Sequence, residues 1–164
     1  SYEVQDKPEG LAQAFILGKN FIGDDKVTMI LGDNLFVGDG DFLKAAIQNF
    51  KKGGRVFAKQ VEDPQRFGVV EFGDDKQAIS IEEKPDKPKS NFAVTGLYIY
   101  DNSVISKAEN LKPSARGELE ITDLNNVYLK EGNLDVKIYE EYWLDTGTFD
   151  SLLEAGNKIA ELKK

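Results

Sequence analysis

An uninterrupted apolar run that ends in an acidic turn is the feature that most restricts how this chain can fold. Residues 27–31 form the run, and Gly32, Asp33 and Asn34 follow it directly. Strands that are apolar on both faces lie inside sheets that helices cover on both sides. In such sheets, ligands bind beyond the carboxyl ends of the strands. The run therefore predicts a buried strand, with Asp33 at the edge of a ligand-binding crevice.

Helical and strand-like segments alternate along the rest of the chain. Apolar residues spaced three or four apart predict helices, and short apolar runs between turn residues predict strands. The predicted helices cover residues 11–20, 42–52, 103–109, 121–130 and 149–162, and the predicted strands cover residues 2–5, 27–31, 55–60, 68–72, 78–83, 93–100 and 134–138. This order indicates an α/β protein with a mixed sheet.

The residue types that are missing narrow the possible chemistry. The 164 residues include no histidine and no cysteine, which excludes histidine-based nucleophilic catalysis, disulfides and nearly all protein zinc sites. The net charge of −8 argues against nucleic acid polymers as partners, because binding their backbones requires clustered lysine and arginine.

The length suits a single domain. No apolar run reaches the roughly 18 residues that span a bilayer, so we expect no membrane contact and a cytoplasmic location.

Two aspartates follow strand-like segments at points where the chain must turn. Asp33 is one, and Asp145, in the segment Trp143-Leu144-Asp145-Thr146-Gly147-Thr148, is the other. Carboxylates that meet at a sheet edge suit Mg²⁺, which typically binds one or two of them together with substrate phosphates. Each aspartate could instead be an ordinary turn residue, since Asp and Thr also favour turns and helix starts.

A charged loop carries the next candidates. Glu83 and Lys84 leave a predicted strand, and Arg116 precedes a predicted helix. A carboxylate such as Glu83 can accept two sugar hydroxyl groups, whereas lysine and arginine can bind phosphate. The alternative interpretation is a solvated loop with no ligand.

Three further positions and one glutamine remain open to two interpretations. Gly68 can mark a strand bulge or a place where a ligand approaches the backbone, and the segment at Val94 invites the same alternatives. Gln5 precedes a turn that contains Gly10. A glutamine side chain matches the imide edge of thymine or uracil, but both residues could also be purely structural.

Taken together, these segments resemble the sugar-phosphate nucleotidylyltransferases, and within that family the thymidylyl branch. The resemblance covers nearly the whole chain, and it depends on seven segments in the family's order: Gln5-x-x-Pro8-x-Gly10-Leu11-Ala12-Gln13-Ala14, Leu31-Gly32-Asp33-Asn34, Phe67-Gly68-Val69, Glu82-Glu83-Lys84-Pro85, Val94-Thr95-Gly96-Leu97-Tyr98, Ala115-Arg116-Gly117-Glu118-Leu119-Glu120-Ile121-Thr122-Asp123 and Trp143-Leu144-Asp145-Thr146-Gly147-Thr148.

The resemblance implies a fold, a reaction and a role for each candidate residue. The fold would be a three-layer, Rossmann-like α/β sandwich with a mixed, mainly parallel sheet, in one nucleotidyltransferase domain over residues 1–164. The reaction would join dTTP and glucose 1-phosphate into dTDP-glucose, with Mg²⁺ as cofactor, in a homo-oligomer. Asp33 and Asp145 would bind Mg²⁺, Gln5 and Gly10 the thymine, Gly68, Glu83 and Val94 the glucose, and Lys84 and Arg116 the phosphate; Asp33, Lys84, Arg116 and Asp145 would form the catalytic group.

The chain departs from the family at its beginning. Family members start with a strand and a G-x-G-T-R-L-x-P-like phosphate loop, which is not present before Ser1. We therefore expect a fragment whose sheet is incomplete at the N-terminus, and which binds nucleotide poorly and catalyses little by itself. A uridylyltransferase and a non-catalytic nucleotide-sugar-binding module remain as alternatives.

Overall fold

Helices and strands alternate along most of the chain. The computed structural model describes residues 2–38 and 40–162. Its helices are α1 (Gln13–Leu17), α2 (Lys19–Ile22), α3 (Asp41–Gln48), α4 (Val104–Glu109), α5 (Ile121–Lys130) and α6 (Phe149–Leu162). Its strands are β1 (Val27–Ile30), β2 (Asn34–Val37), β3 (Gly54–Gln60), β4 (Gly68–Phe72), β5 (Ala78–Glu83), β6 (Phe92–Tyr100), β7 (Leu134–Ile138) and β8 (Tyr142–Asp145).

Strand β6 is the buried centre of a six-stranded sheet. All but the first of its nine residues are buried. One edge of β6 pairs with β3, and β7 continues the sheet beyond β3. On the other edge, β4 pairs with residues 92–93 and β1 pairs with residues 97–100. Residues 94–96 of β6 therefore lie between the ends of two neighbouring strands.

A second, two-stranded sheet brings together segments that are far apart in the sequence. Strands β2 and β8 are antiparallel, with Asn34 opposite Asp145 and Val37 opposite Tyr142. Because Asp33 immediately precedes β2, this register sets it beside the end of β8. The geometry of the two aspartates thus follows from strand pairing.

The two faces of the main sheet are covered by different layers. Tyr98 and Tyr100 of β6 pack in a core cluster with residues of α1, α4 and α5. Leu97 and Ile99 point the opposite way, into a cluster with residues of α3, β2 and β8. Successive residues of a strand face opposite sides of a sheet, so an apolar β6 serves both cores. The result is a three-layer α/β arrangement.

The structure confirms the α/β class and the mixed sheet and corrects several details. The expectation of a mainly parallel sheet is wrong, because among the described residues only β3 and β7 pair in parallel. The reason is that the central strand β6 runs antiparallel to β1, β3 and β4, and that β4 and β5 form a hairpin, which requires antiparallel strands. Residues 2–5 are not a strand, and the helix predicted for residues 11–20 is divided at Gly18. The strand predicted to be buried, β1, is only partly buried, with Ile30 49% exposed, because among the described residues it pairs with β6 alone.

Strands β2 and β8 were not predicted as strands. Each is four residues long, which is too short for a clear alternation of apolar and polar residues.

Within the described ranges, no helix is both long and apolar enough to cross a bilayer.

Removing the side chain of Leu97 tests whether β6 carries the core. Leu97 is 0% exposed, and replacing a buried leucine with alanine typically costs about 2–5 kcal/mol. We expect Leu97→Ala to lower the free energy of unfolding by that amount in urea denaturation followed by circular dichroism. Leu153→Ala is the control, because Leu153 is 67% exposed and surface changes usually stay within about 0.5 kcal/mol. Equal effects of the two changes would contradict the assignment.

Candidate active site

Asp33 and Asp145 meet at the end of the two-stranded sheet. The backbone N–H and the hydroxyl group of Thr146 donate hydrogen bonds to the carbonyl oxygen of Asp33, at 2.7 and 2.8 Å. A Cβ atom on Gly147 would lie 3.2 Å from Asp33 Oδ2 and 3.3 Å from Asp145 Oδ1. One oxygen of each aspartate therefore faces the same small region of space.

The second oxygen of each aspartate is held by a donor of the protein. Asn34 Nδ2 donates to Asp33 Oδ1 at 2.8 Å, and Arg66 Nη2 lies 3.0 Å from Asp145 Oδ2. The oxygens that face Gly147 are hard donors of the kind that bind Mg²⁺. Across the part of the chain that the structure describes, no group of three or more acidic or histidine side chains could hold a metal ion. A cation here would need further ligands from water or substrate.

Asn34 connects the two-stranded sheet to β6 through hydrogen bonds. Its Oδ1 atom accepts hydrogen bonds from the backbone N–H of Gly96 and from Trp143 Nε1, each at 2.7 Å. A Cβ atom on Gly96 would lie 2.6 Å from Asn34 Cγ, a distance that a real side chain cannot adopt. Glycine at position 96 is therefore what lets Asn34 approach the strand and hold Asp33.

The residues predicted to contact a sugar also lie together. A Cβ atom on Gly68 would lie 3.5 Å from Glu83 Oε2 and 3.8 Å from the Cβ of Val94. The same point lies 3.0 Å from the hydroxyl oxygen of Thr122, which donates a 2.5 Å hydrogen bond to Glu83. We call the group formed by Gly68, Glu83, Val94 and Thr122 the Gly68 pocket. It borders the segment of β6 between β1 and β4.

Thr122 is a member of this pocket that the sequence analysis missed. It is buried in the first turn of α5, where a threonine is unremarkable by sequence alone. The available signal was its place in the family segment that begins at Ala115. Its hydrogen bond leaves Glu83 Oε1 as the oxygen without a threonine partner.

Strand β6 connects the two acidic regions. Val94 borders the Cβ position of Gly68, and Gly96, two residues further along the strand, contacts Asn34. The Gly68 pocket and the Asp33–Asp145 pair are therefore neighbours. Burial raises the pKa of the Tyr98 hydroxyl group on the same strand, and the charges of Glu83 and Asp33 raise it further.

Arg116 and Lys84 lie beside Glu83 and differ in their ion pairs. Arg116 Nε and Nη2 bind Glu120 at 2.9–3.0 Å, and the hydrogen bond to Glu120 raises the pKa of the guanidinium group. Arg116 Nη2 is also 3.8 Å from Glu83. Lys84 has a left-handed backbone, with φ of 43°, and an exposed side chain. Among the described residues, its ammonium group has no ion-pair partner.

Gln5 and Gly10 belong to a turn that packs on the loop of Arg116. Gly10 has φ of +103°, and a Cβ atom there would lie 2.4 Å from the carbonyl oxygen of Leu119. The Leu119 N–H donates to the Glu9 carbonyl at 2.8 Å, and the Ala12 N–H donates to the Leu119 carbonyl at 3.1 Å. Gln5 Nε2 donates to the Gly10 carbonyl oxygen at 3.2 Å. Gly10 thus has a structural reason to be glycine, whether or not it contacts a ligand.

The three-layer α/β fold, with two acidic side chains brought together at the end of a small sheet, agrees with the class of protein that a family comparison identifies. A family model described as nucleotidyl transferase matches residues 1–162. The chain belongs to the nucleotidyl transferase family.

Relatives with assigned names make the comparison more specific. The chain is 56% identical to a glucose-1-phosphate thymidylyltransferase of Neisseria meningitidis, over 97% of this chain and 56% of that protein. It is 53% identical to a glucose-1-phosphate thymidylyltransferase of Mycobacterium tuberculosis, over 100% of this chain and 58% of that protein. The chain therefore spans little more than half the length of these relatives.

Solved structures confirm the fold. A Bacillus anthracis structure described as a glucose-1-phosphate thymidylyltransferase in complex with sucrose has a TM-score of 0.87 and 48% identity, over 96% of this chain and 63% of that one. A UDP-glucose pyrophosphorylase complexed with UDP-glucose has a TM-score of 0.86 at 24% identity, over 98% of this chain and 66% of that one. The second likeness bears on the fold alone.

Adding one methyl group at Gly96 tests whether Asn34 connects the two-stranded sheet to β6. We expect Gly96→Ala to displace Asn34, because overpacking in a closed site typically costs about 1–3 kcal/mol. Trp143 is the single tryptophan and donates to Asn34, so its fluorescence should change together with the unfolding midpoint. Gly156→Ala is the control, since a Cβ atom at Gly156 in α6 meets nothing within 4 Å and alanine favours a helix by about 0.5–1 kcal/mol. Unchanged fluorescence in Gly96→Ala would contradict this account.

Proposed function

We propose that this protein transfers a thymidylyl group from dTTP to glucose 1-phosphate and so forms dTDP-glucose and pyrophosphate. The observation that carries the proposal is the convergence of Asp33 and Asp145, which lie 3.2 and 3.3 Å from the Cβ position of Gly147, next to a pocket suited to a sugar. The names of relatives at 53–56% identity support the substrates.

Mg²⁺ fits the two aspartates. Asp33 Oδ2 and Asp145 Oδ1 would hold it, because the other oxygen of each side chain is engaged by Asn34 or Arg66, and Asp145 Oδ1 accepts only the 3.2 Å hydrogen bond from the Gly147 N–H. When bound, Mg²⁺ would supply Lewis-acid neutralisation of phosphate charge. Two protein ligands leave room for water and substrate phosphates, which is how Mg²⁺ is usually held.

The reaction needs no histidine. The phosphate of glucose 1-phosphate is already an anion, so its oxygen can attack the α-phosphorus of dTTP without a general base. The new phosphorus–oxygen bond forms as the bond between the α-phosphorus and pyrophosphate breaks. The protein then has to align the two phosphates and neutralise their charge. A chain without histidine can perform both tasks.

The Gly68 pocket is assigned to the glucose ring. Glu83 would accept sugar hydroxyl groups through the oxygen that Thr122 leaves available. Gly68 lets the ring approach the strand, since any side chain there would crowd Thr122 at 3.0 Å. The buried Val94 would form the apolar floor. Binding would thus combine one charged acceptor with close backbone contact.

Lys84 and Arg116 are assigned to the phosphate groups. Arg116 uses Nε and Nη2 on Glu120, and within the described residues no hydrogen bond occupies Nη1. This nitrogen could donate to phosphate while the rest of the guanidinium group keeps its partner. Lys84 adds a mobile point charge. Their positions beside Glu83 suit a phosphate attached to the sugar.

Gln5 is assigned to the nucleotide base, with Gly10 beside it. Its Nε2 atom donates to the Gly10 carbonyl and to Gln13 Oε1, and its Oε1 atom would accept from the imide N–H of thymine. Uracil has the same edge and lacks only the methyl group.

Comparing dTTP with UTP tests the base assignment. We expect the complete gene product to prefer dTTP, because contact with one methyl group is typically worth about 1–3 kcal/mol. The measurement is kcat/KM for pyrophosphate release with each nucleotide and glucose 1-phosphate. A preference for UTP would favour the uridylyltransferase alternative.

Replacing either aspartate tests the metal assignment. We expect Asp33→Asn and Asp145→Asn to lower kcat by about 100-fold or more, because each removes a charge that stabilises the transition state. The measurement is dTDP-glucose formation by the complete gene product in Mg²⁺.

Asp74→Asn is the matched control for that experiment. Asp74 is exposed in the turn between β4 and β5, so the change removes one negative charge far from the site. Wild-type turnover in either Asp33→Asn or Asp145→Asn would contradict the metal assignment.

A further inference from the structure

Arg66 is a charged residue of the site to which the proposed mechanism gives no role. It ends a short 3-10 helix, Pro64–Arg66, just before β4. Its Nη2 atom lies 3.0 Å from Asp145 Oδ2. Nothing in its segment singles it out, because an arginine beside a turn is usually a solvated surface residue.

The contact with Arg66 helps to set which oxygen of Asp145 faces the shared region. With Oδ2 held by the guanidinium group, Oδ1 faces Gly147, whose backbone N–H donates a 3.2 Å hydrogen bond to it. Asn34 acts in the same way on Asp33, since it occupies Oδ1 and leaves Oδ2 facing Gly147. Each aspartate thus has one oxygen held by a neighbouring side chain and one turned toward the shared region.

The guanidinium group is itself held in place. Its Nη1 atom binds Asp63 Oδ2 at 2.9 Å, and its plane lies over the Phe67 ring at 5.2 Å. Phe67 in turn packs edge-to-face on Trp143, with the ring centres 5.2 Å apart. The hydrogen bond to Asp63 also raises the pKa of the guanidinium group, so it stays charged.

This arrangement differs from an ordinary surface ion pair. Exposed pairs contribute little because both side chains must be immobilised at the moment of contact. Here the side chain of Asp145 is only 19% exposed, and Arg66, although 46% exposed, is already held by Asp63 and Phe67. A planar guanidinium fork binds the two carboxylates in a fixed geometry, which the point charge of a lysine does not reproduce.

We propose that Arg66 is a positioning residue for the cation site, which acts through Asp145 by keeping Oδ1 turned toward Asp33. The inference rests on the metal role proposed for the two aspartates. Residues that orient metal ligands in this way typically contribute about 10- to 100-fold to metal affinity or activity.

If Arg66 acted only as a nearby positive charge, its removal would change the metal affinity in the opposite direction. A guanidinium cation repels a divalent cation, so removing it would then strengthen metal binding. If Arg66 orients Asp145, removing it weakens metal binding in spite of the lost repulsion. The direction of the change therefore separates the two roles.

The test is a Mn²⁺ titration of the complete gene product, followed by electron paramagnetic resonance of free Mn²⁺ and by Trp143 fluorescence. We expect Arg66→Gln to weaken Mn²⁺ binding by about tenfold or more. We expect Arg66→Lys, which keeps the charge and loses the fork, to bind more weakly than wild type as well. The unfolding midpoint of each variant shows whether the fold is retained.

Lys89→Gln is the matched control. It breaks the ion pair of Lys89 with Glu71, whose length is 2.8 Å and whose lysine side chain is 54% exposed, and it lies outside the site. We expect its Mn²⁺ titration to match wild type.

Unchanged or tighter Mn²⁺ binding in Arg66→Gln would overturn the inference, as would full retention of affinity in Arg66→Lys. Absence of Mn²⁺ binding in the wild type would overturn it together with the metal site. A wild type that binds Mn²⁺ but forms no dTDP-glucose would instead refute only the proposed substrates, since the titration does not depend on them.

Discussion

The structure depends on how closely a side chain of the small sheet can approach the backbone of β6. Asn34 reaches the strand only because position 96 has no side chain, and it then accepts hydrogen bonds from Gly96 and Trp143 at 2.7 Å. Without this contact, the β2–β8 ladder would be attached by apolar packing, which is not directional, and by more distant bonds such as that from Tyr139 to the Val37 carbonyl. The Asn34 amide accepts two hydrogen bonds and donates one to Asp33, and so gives Asp33 a defined position.

The division of one edge of β6 between two strands explains where the site lies. Strands β4 and β1 each pair with part of that edge, and residues 94–96 fall between them. Gly68 opens the β4 side of this interval, and Asn34 closes the other side. A regular sheet would have filled the same space with a continuous ladder. The interruption lies where the sugar is proposed to bind.

Much of the fold could be predicted from the sequence, because its signals are local. The helical spacing of residues 121–130 reflects burial of its own side chains, whereas the apolar run of residues 27–31 predicted the strand but not its burial, since Ile30 is 49% exposed. Strand direction is not local, and the mainly parallel sheet was predicted wrongly because the central strand β6 runs antiparallel to three partners that lie far from it in the sequence. Strands β2 and β8 were missed because their partner, and not their composition, makes them strands.

The site shows the same division between what is local and what is not. Asp33, Asp145, Gly68 and Glu83 could be proposed because each belongs to a recognisable segment. Thr122 and Arg66 could not, since nothing within their segments shows that one binds Glu83 and the other Asp145 across 39 and 79 positions of the chain. The roles of all these residues in binding and catalysis stay predictions.

The close contact between Gly10 and Leu119 has a consequence for how this region can vary. Two peptide hydrogen bonds, from Leu119 to Glu9 and from Ala12 to Leu119, join the turn near Gln5 to the loop of Arg116. Because only main-chain atoms form these two bonds, the exposed side chain at position 9 can be exchanged without breaking them, whereas Ala12 is 0% exposed and is fixed by core packing. An inserted or deleted residue would shift one strip of peptide groups past the other. We expect homologous chains to conserve the number of residues here and to vary in residue type mainly at position 9.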